Sequence, residues 1–77
     1  MKIQVLLFGP LAEVAGTEQL ELTQVPDTDV LRQLLLKNYP ALADCAFQVA
    51  VNRKLALLVQ PLQDGDEVAL LAPFSGG

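Results

Sequence analysis

At 77 residues the chain holds a single domain, because a protein this small buries only roughly 60% of its unfolded surface and has no core to spare for a second. Its composition is 52% hydrophobic but 5% aromatic, more apolar material than one small core absorbs, so an apolar patch is expected on the surface, where such patches mark partner sites. Net charge −4 with five scattered basic residues argues against nucleic acid, the absence of histidine beside one cysteine argues against a zinc site, and no uncharged apolar run approaches the ~18–20 residues of a membrane span.

The lone Cys45 precludes an internal disulfide and suits a reducing compartment, so the expected location is the cytoplasm. The N-terminal apolar stretch is interrupted by Gln4, and its removal would strip a strand from a minimal domain, so it is not read as a signal peptide. An acidic domain is better matched to a basic protein partner.

In chain order, "KIQVLLF" (Lys2 to Phe8) alternates as a strand, with Ile3, Val5 and Leu7 on one side and Lys2, Gln4, Leu6 and Phe8 on the other. "GPLAEVAG" reads as a short helical connection, with Pro10 near its start and Gly16 at its end. "EQLELT" alternates again, with Leu20 and Leu22 inward, as a second strand paired with the first.

"PDTDVLRQLLLKNYP" is the main helix: Thr28 is the expected cap, Asp29 favours the positive end of the dipole, and Pro40 stops it. Val30, Leu31, Leu34 and Leu35 share a face whose burial contributes roughly 6–12 kcal/mol before entropy is counted. "FQVAV" (Phe47 to Val51) and "LALLV" (Leu55 to Val59) follow as strands either side of an "NRK" turn. Asp64-Gly65 signals a further turn, and "EVALLA" is apolar on both faces, as suits an interior strand.

The order strand, strand, helix, then two or three strands predicts a two-layer α+β domain, with one helix covering one face of a mixed sheet of four to five strands. Val5 and Leu70 would face the helix, leaving Leu6, Phe8 and Leu71 on the opposite face. Either the Gly9–Gly16 connection covers them or they form a docking surface, and the high apolar fraction favours docking.

The ending "ALLAPFSGG" runs from a buried strand into a bare tail, and termini of this kind are ordinarily frayed. Pro73 to Gly77 reach ~17 Å when extended. Gly76 and Gly77 lack a Cβ and can thread a channel closed to other residues, so the tail is expected to be a flexible tether that delivers a carboxylate. Adenylation by ATP would make that carboxyl acylating, and sulfur installed there would give a nucleophilic thiocarboxylate. Such chemistry needs no side chain from this protein. Cys45 has no His partner and is read as structural, and Asp64, Asp66 and Glu67 coincide with a turn rather than a metal or acid–base site.

The segments "VLLFGPLAEVAG", "TDVLRQLLLKNYP", "VAVN" and, most specifically, "LQDGDEVALLAPFSGG" resemble the small subunit of molybdopterin synthase over nearly the whole chain. The resemblance implies a β-grasp, ubiquitin-like fold spanning 1–77 and a sulfur carrier in molybdenum cofactor biosynthesis. It implies that Gly77, preceded by Gly76, is adenylated with ATP by a ubiquitin-activating-like enzyme and converted to a thiocarboxylate with the help of a sulfur donor protein. That end would enter the large synthase subunit, which is expected to supply the pterin-binding residues, and would give its sulfur to cyclic pyranopterin monophosphate. Two rounds would build the dithiolene, in a heterotetramer of two small and two large subunits, with no cofactor bound by this chain.

By position, Phe8 and Leu71 match apolar residues that dock on the large subunit, and Pro73, Phe74 and Ser75 lie in the tail that enters its channel. The chain departs from the family where Ala72 replaces a proline, Phe74 a small aliphatic residue and Ala12 an arginine, changes that bear on partner fit. The alternatives are a thiamine-pathway sulfur carrier, which usually lacks the "PLAEVAG" insert, a ubiquitin-like modifier joined to lysines through Gly77, and a binding domain with an inert tail.

Overall fold

The computed structural model of the protein describes residues 2–71. Five strands form one sheet: β1 (Lys2–Leu7), β2 (Gln19–Thr23), β3 (Gln48–Val51), β4 (Lys54–Leu55) and β5 (Glu67–Leu71). Two helices, α1 (Pro10–Ala15) and α2 (Thr28–Asn38), and a 3-10 helix at Pro40–Asp44 complete the described elements. The strand order is β2-β1-β5-β3-β4, with β1 and β5 parallel at the centre and every other pair antiparallel. This is the expected α+β, β-grasp arrangement, a mixed sheet with α2 across one face.

The core follows from the period-two pattern of the central strands. Ile3, Val5 and Leu7 of β1, Val68 and Leu70 of β5, and Val49 and Val51 of β3 are buried with Leu31 and Leu35 of α2. Val30 and Leu34 flank that stripe half-buried, as do Leu20 and Leu22 on β2 at the sheet edge. Among the described residues no helix is long and apolar enough to cross a membrane.

Two local expectations are corrected. The cap of α2 is Asp27 rather than Thr28: its carboxylate accepts the Val30 amide at 2.8 Å from an extended backbone. Thr28 is instead turned inward and buried, where its hydroxyl accepts the Gln60 amide at 3.1 Å while its own amide donates to the Gln60 carbonyl at 3.0 Å.

The strand expected over Leu55 to Val59 stops at Leu55. Ala56 donates one more bond to the Val49 carbonyl at 2.8 Å, and the chain then leaves the sheet. It is drawn toward the start of α2, where Asp27 bridges Pro61 and the Leu62 amide donates to the Pro26 carbonyl at 2.9 Å. Pro61 has no N–H with which to continue a ladder.

The Gly9–Gly16 connection is a helix, as Pro10 and the flanking glycines predicted, but it does not roof the open sheet face. Its Leu11 is buried in the core and α1 packs against the 3-10 helix. Gly9 turns the chain from β1 into α1 at φ 56° and ψ −133°, a conformation that disfavours any residue with a Cβ.

Candidate functional site

The site is the helix-free face of the sheet at the end where β5 finishes. Strand pairing sets its geometry. Because β1 and β5 are parallel, with Leu7 opposite Leu70, the next residues along each strand, Phe8 and Leu71, reach the same end of the sheet. Phe8 is 49% exposed and Leu71 is half-buried, whereas Leu7 and Leu70 beneath them are buried on the helix side.

The two residues singled out from sequence as docking positions therefore lie at the same end of the sheet. Leu6, the third apolar residue assigned to this face, is half-buried and stands opposite Ala69.

Register then adds residues that the sequence did not reveal. Ala69 pairs with Ala50 on β3, and Ala50 pairs with Leu55 on β4, so Leu6, Ala69, Ala50 and Leu55 form one row across four strands. Residues in direct register project to the same side of a sheet. Two alanines between two leucines make a shallow apolar floor, and Leu55 is 51% exposed at its outer edge. The opposite end of the same face carries Gln4 paired with both Glu21 and Glu67, so it is polar. Apolar character is thus concentrated at the end from which the chain leaves β5.

Beside Phe8 lies an open hollow of about 640 Å³ between the end of β1, α1 and the start of β2, with Leu7 and Ala12 in its wall and Glu13 and Glu18 exposed at its rim. Ala12 leaves this wall small and uncharged.

The acidic turn before β5 is structural, as its turn signal implied. Asp64 Oδ1 accepts the Lys2 amide at 2.7 Å, and Asp66 Oδ2 accepts the Gln63 amide at 2.8 Å. Asp66 Oδ1 holds the Asn52 amide group at 3.0 Å, while Asn52 Oδ1 accepts the Glu67 amide at 3.1 Å. These contacts fasten the β3–β4 hairpin, whose Asn52 and Arg53 both have positive φ as in a type I′ turn, to the start of β5. Together they fix the register and therefore the direction in which β5 ends.

Among the described residues no group of three or more His, Cys, Asp and Glu side chains is disposed to hold a metal ion. Cys45 is a half-buried free thiol at the end of the 3-10 helix, 3.8 Å from the Ala41 carbonyl oxygen. The remaining predicted site residues, Pro73, Phe74, Ser75, Gly76 and Gly77, lie outside the described residues. What the described fold supplies is an apolar platform, with no constellation of reactive side chains.

Known proteins match this arrangement along its whole length. Residues 5–77 match the ThiS family model. The molybdopterin synthase sulfur carrier subunit of Escherichia coli (strain K12) is 38% identical over 80 residues, covering 97% of this chain and 99% of that protein. A chain of the protein–protein complex of subunits 1 and 2 of molybdopterin-converting factor from Helicobacter pylori 26695 superposes with a TM-score of 0.77 at 30% identity, covering 100% of both chains. SAMP1 from Haloferax volcanii, a small archaeal modifier protein, superposes with a TM-score of 0.83 at 29% identity, again over 100% of both chains. The chain belongs to the ThiS family, alongside the molybdopterin synthase sulfur carrier subunits.

Proposed function

We propose that this protein is the sulfur-carrying small subunit of molybdopterin synthase, acting through the carboxylate of Gly77. The observation that carries the reading is the full-length similarity, at 38% identity, to a protein named for that role. The geometry supports it: an apolar platform of Leu6, Phe8, Leu55 and Leu71 stands at the end of β5, where a partner seated on it would meet the chain as it leaves the sheet.

In the proposed cycle a ubiquitin-activating-like enzyme joins the Gly77 carboxylate to the AMP moiety of ATP and releases pyrophosphate. A persulfide sulfur from a donor protein displaces AMP, and reduction of the remaining S–S bond by a thiol leaves the thiocarboxylate. The loaded tail enters the large subunit, and its sulfur attacks a carbon of cyclic pyranopterin monophosphate. A C–S bond forms as the C–O bond at that carbon breaks, and its oxygen leaves as water or remains on the phosphate. Water then cleaves the acyl–sulfur bond, which frees the Gly77 carboxylate and leaves the sulfur on the pterin. Two such deliveries build the dithiolene, within a cytoplasmic heterotetramer. This chain contributes positioning and the reacting terminus, and the large subunit supplies the groups that hold the pterin.

A modifier reading, in which Gly77 is joined to protein lysines, is favoured by one observation, the TM-score of 0.83 to SAMP1. Both readings use the same platform and differ in the acceptor. A variant with one residue appended after Gly77, tested in cells lacking the native protein, is expected to yield no molybdenum cofactor. Normal cofactor levels from that variant would refute the carrier role. Lysine-linked conjugates of the unextended chain, without sulfur on its terminus, would favour the modifier.

A further inference from the structure

Leu57, Leu58 and Val59 form a second apolar surface that the reading above does not use. They are 82%, 84% and 64% exposed, and with Leu55 they account for four of the six exposed large hydrophobic residues of the described chain. Three consecutive aliphatic side chains held in water favour association wherever a complementary surface exists. Their exposure is imposed by the fold: Ala56 makes the last sheet bond, and the Thr28–Gln60 and Asp27–Pro61 pairings pull the following chain toward α2. The three residues are thereby carried around the edge of the sheet.

Their surroundings indicate what covers them. Leu55 ends the row Leu6–Ala69–Ala50–Leu55 at the β4 edge, and the chain then turns toward α2, where Leu57, Leu58 and Val59 line a cavity with Thr28, Asp29 and Arg32. Three of the chain's five basic residues lie in this cavity wall or just before the patch in sequence. Arg53 and Lys54 are exposed immediately before Leu55, and Arg32 lines the cavity, of about 190 Å³, with Leu57, Leu58 and Val59. The Arg32 guanidinium sits 4.7 Å from the centroid of the Phe47 ring, which steadies it there. Asp29, the acid in the same cavity wall, accepts a bond from the Gln33 amide at 2.9 Å. An acidic protein that places three of its five basic groups near one apolar patch is complementary to an apolar surface rimmed by carboxylates. A second copy of this chain would instead bring those basic groups together.

We infer that Leu57, Leu58 and Val59 are a second anchor for the large synthase subunit, gripping an aliphatic surface with acidic groups at its rim while the platform of Phe8 and Leu71 is seated on the same partner. The inference rests on the carrier reading, and its test separates the two.

Binding of the full chain to the purified large subunit from the same source is measured by calorimetry at low and high salt. The variant carrying Leu57→Ser, Leu58→Ser and Val59→Ser is expected to bind at least ~30-fold more weakly, the scale of losing an interfacial hot spot. The Arg53→Glu, Lys54→Glu variant is expected to lose about tenfold at low salt, and less at high salt as screening grows. The thermal midpoints of these variants, read by circular dichroism, show whether each is folded when it is assayed.

Affinity of the triple serine variant within twofold of the unmodified chain, with Leu71→Glu abolishing binding, would overturn the second anchor and leave the carrier reading standing. A dimer of the unmodified chain in sedimentation that the triple variant dissolves would overturn it in favour of self-association. Failure of the unmodified chain to bind the large subunit at any salt would overturn both.

Discussion

The two faces of the sheet are built from the same central strands, yet they do different work. On the helix side Ile3, Val5, Val68 and Leu70 are sealed under Leu31 and Leu35, and their burial stabilises the fold. On the other side Leu6, Ala69 and Leu71 come from the same two strands, one residue out of phase, with Phe8 just past the end of β1, and at the end of β5 they stay partly in water. A core face is judged by how little of it can be changed without unfolding the protein. The open face is judged by what it can hold. The comparison teaches that apolar content beyond the need of the core, visible here as a 52% hydrophobic composition, can be an interface distributed over alternate positions of core strands.

Substitutions on each face should separate the two roles. The largest loss of stability is expected from Leu35→Ala, which empties a fully buried site and should cost about 2–5 kcal/mol in denaturant unfolding. A value below 1 kcal/mol would mean that the helix side is less tightly packed than its burial indicates. At the rim between the faces, Gly9→Ala should cost about 1–2 kcal/mol, because its φ of 56° disfavours a Cβ even though none would clash. Asp27→Ala removes the α2 cap and should cost about 1 kcal/mol, while Asp27→Asn retains most of it. Leu58→Ser, on the most exposed of these side chains, should shift stability by less than about 0.5 kcal/mol. A large destabilisation there would erase the distinction between faces that hold the fold and faces that hold a partner.

Much of this organisation is legible in the sequence, and the illegible parts have specific causes. The alternation of "KIQVLLF" separates Ile3, Val5 and Leu7 from Leu6 and Phe8 without any knowledge of the fold, because the side-chain period of a strand is two. Proline and glycine likewise delimit α1 at both ends. Two adjacent residues in "PDTD" can both cap a helix, and the choice of Asp27 over Thr28 was decided by Gln60, which is 32 residues away from Thr28. The run "LALLV" has every local mark of a strand, but its end is dictated by where Gln60, Pro61 and Leu62 must dock.

The membership of Leu55, Ala50 and Ala69 in the platform depends on the register between three distant segments, which no short window contains. The tail residues Pro73 to Gly77 are legible only through the bareness of "PFSGG" and through resemblance, and their role rests on the chemistry that a carboxyl terminus can support.

The fold, on this reading, is a platform for a reactive terminus. The most direct test is the intact mass of the protein after incubation with ATP, its activating enzyme and a sulfur donor, with the modified residue mapped by fragmentation. The expected result is the exchange of one oxygen for one sulfur, located on Gly77. An unmodified terminus, under conditions that load a related sulfur carrier, would contradict it.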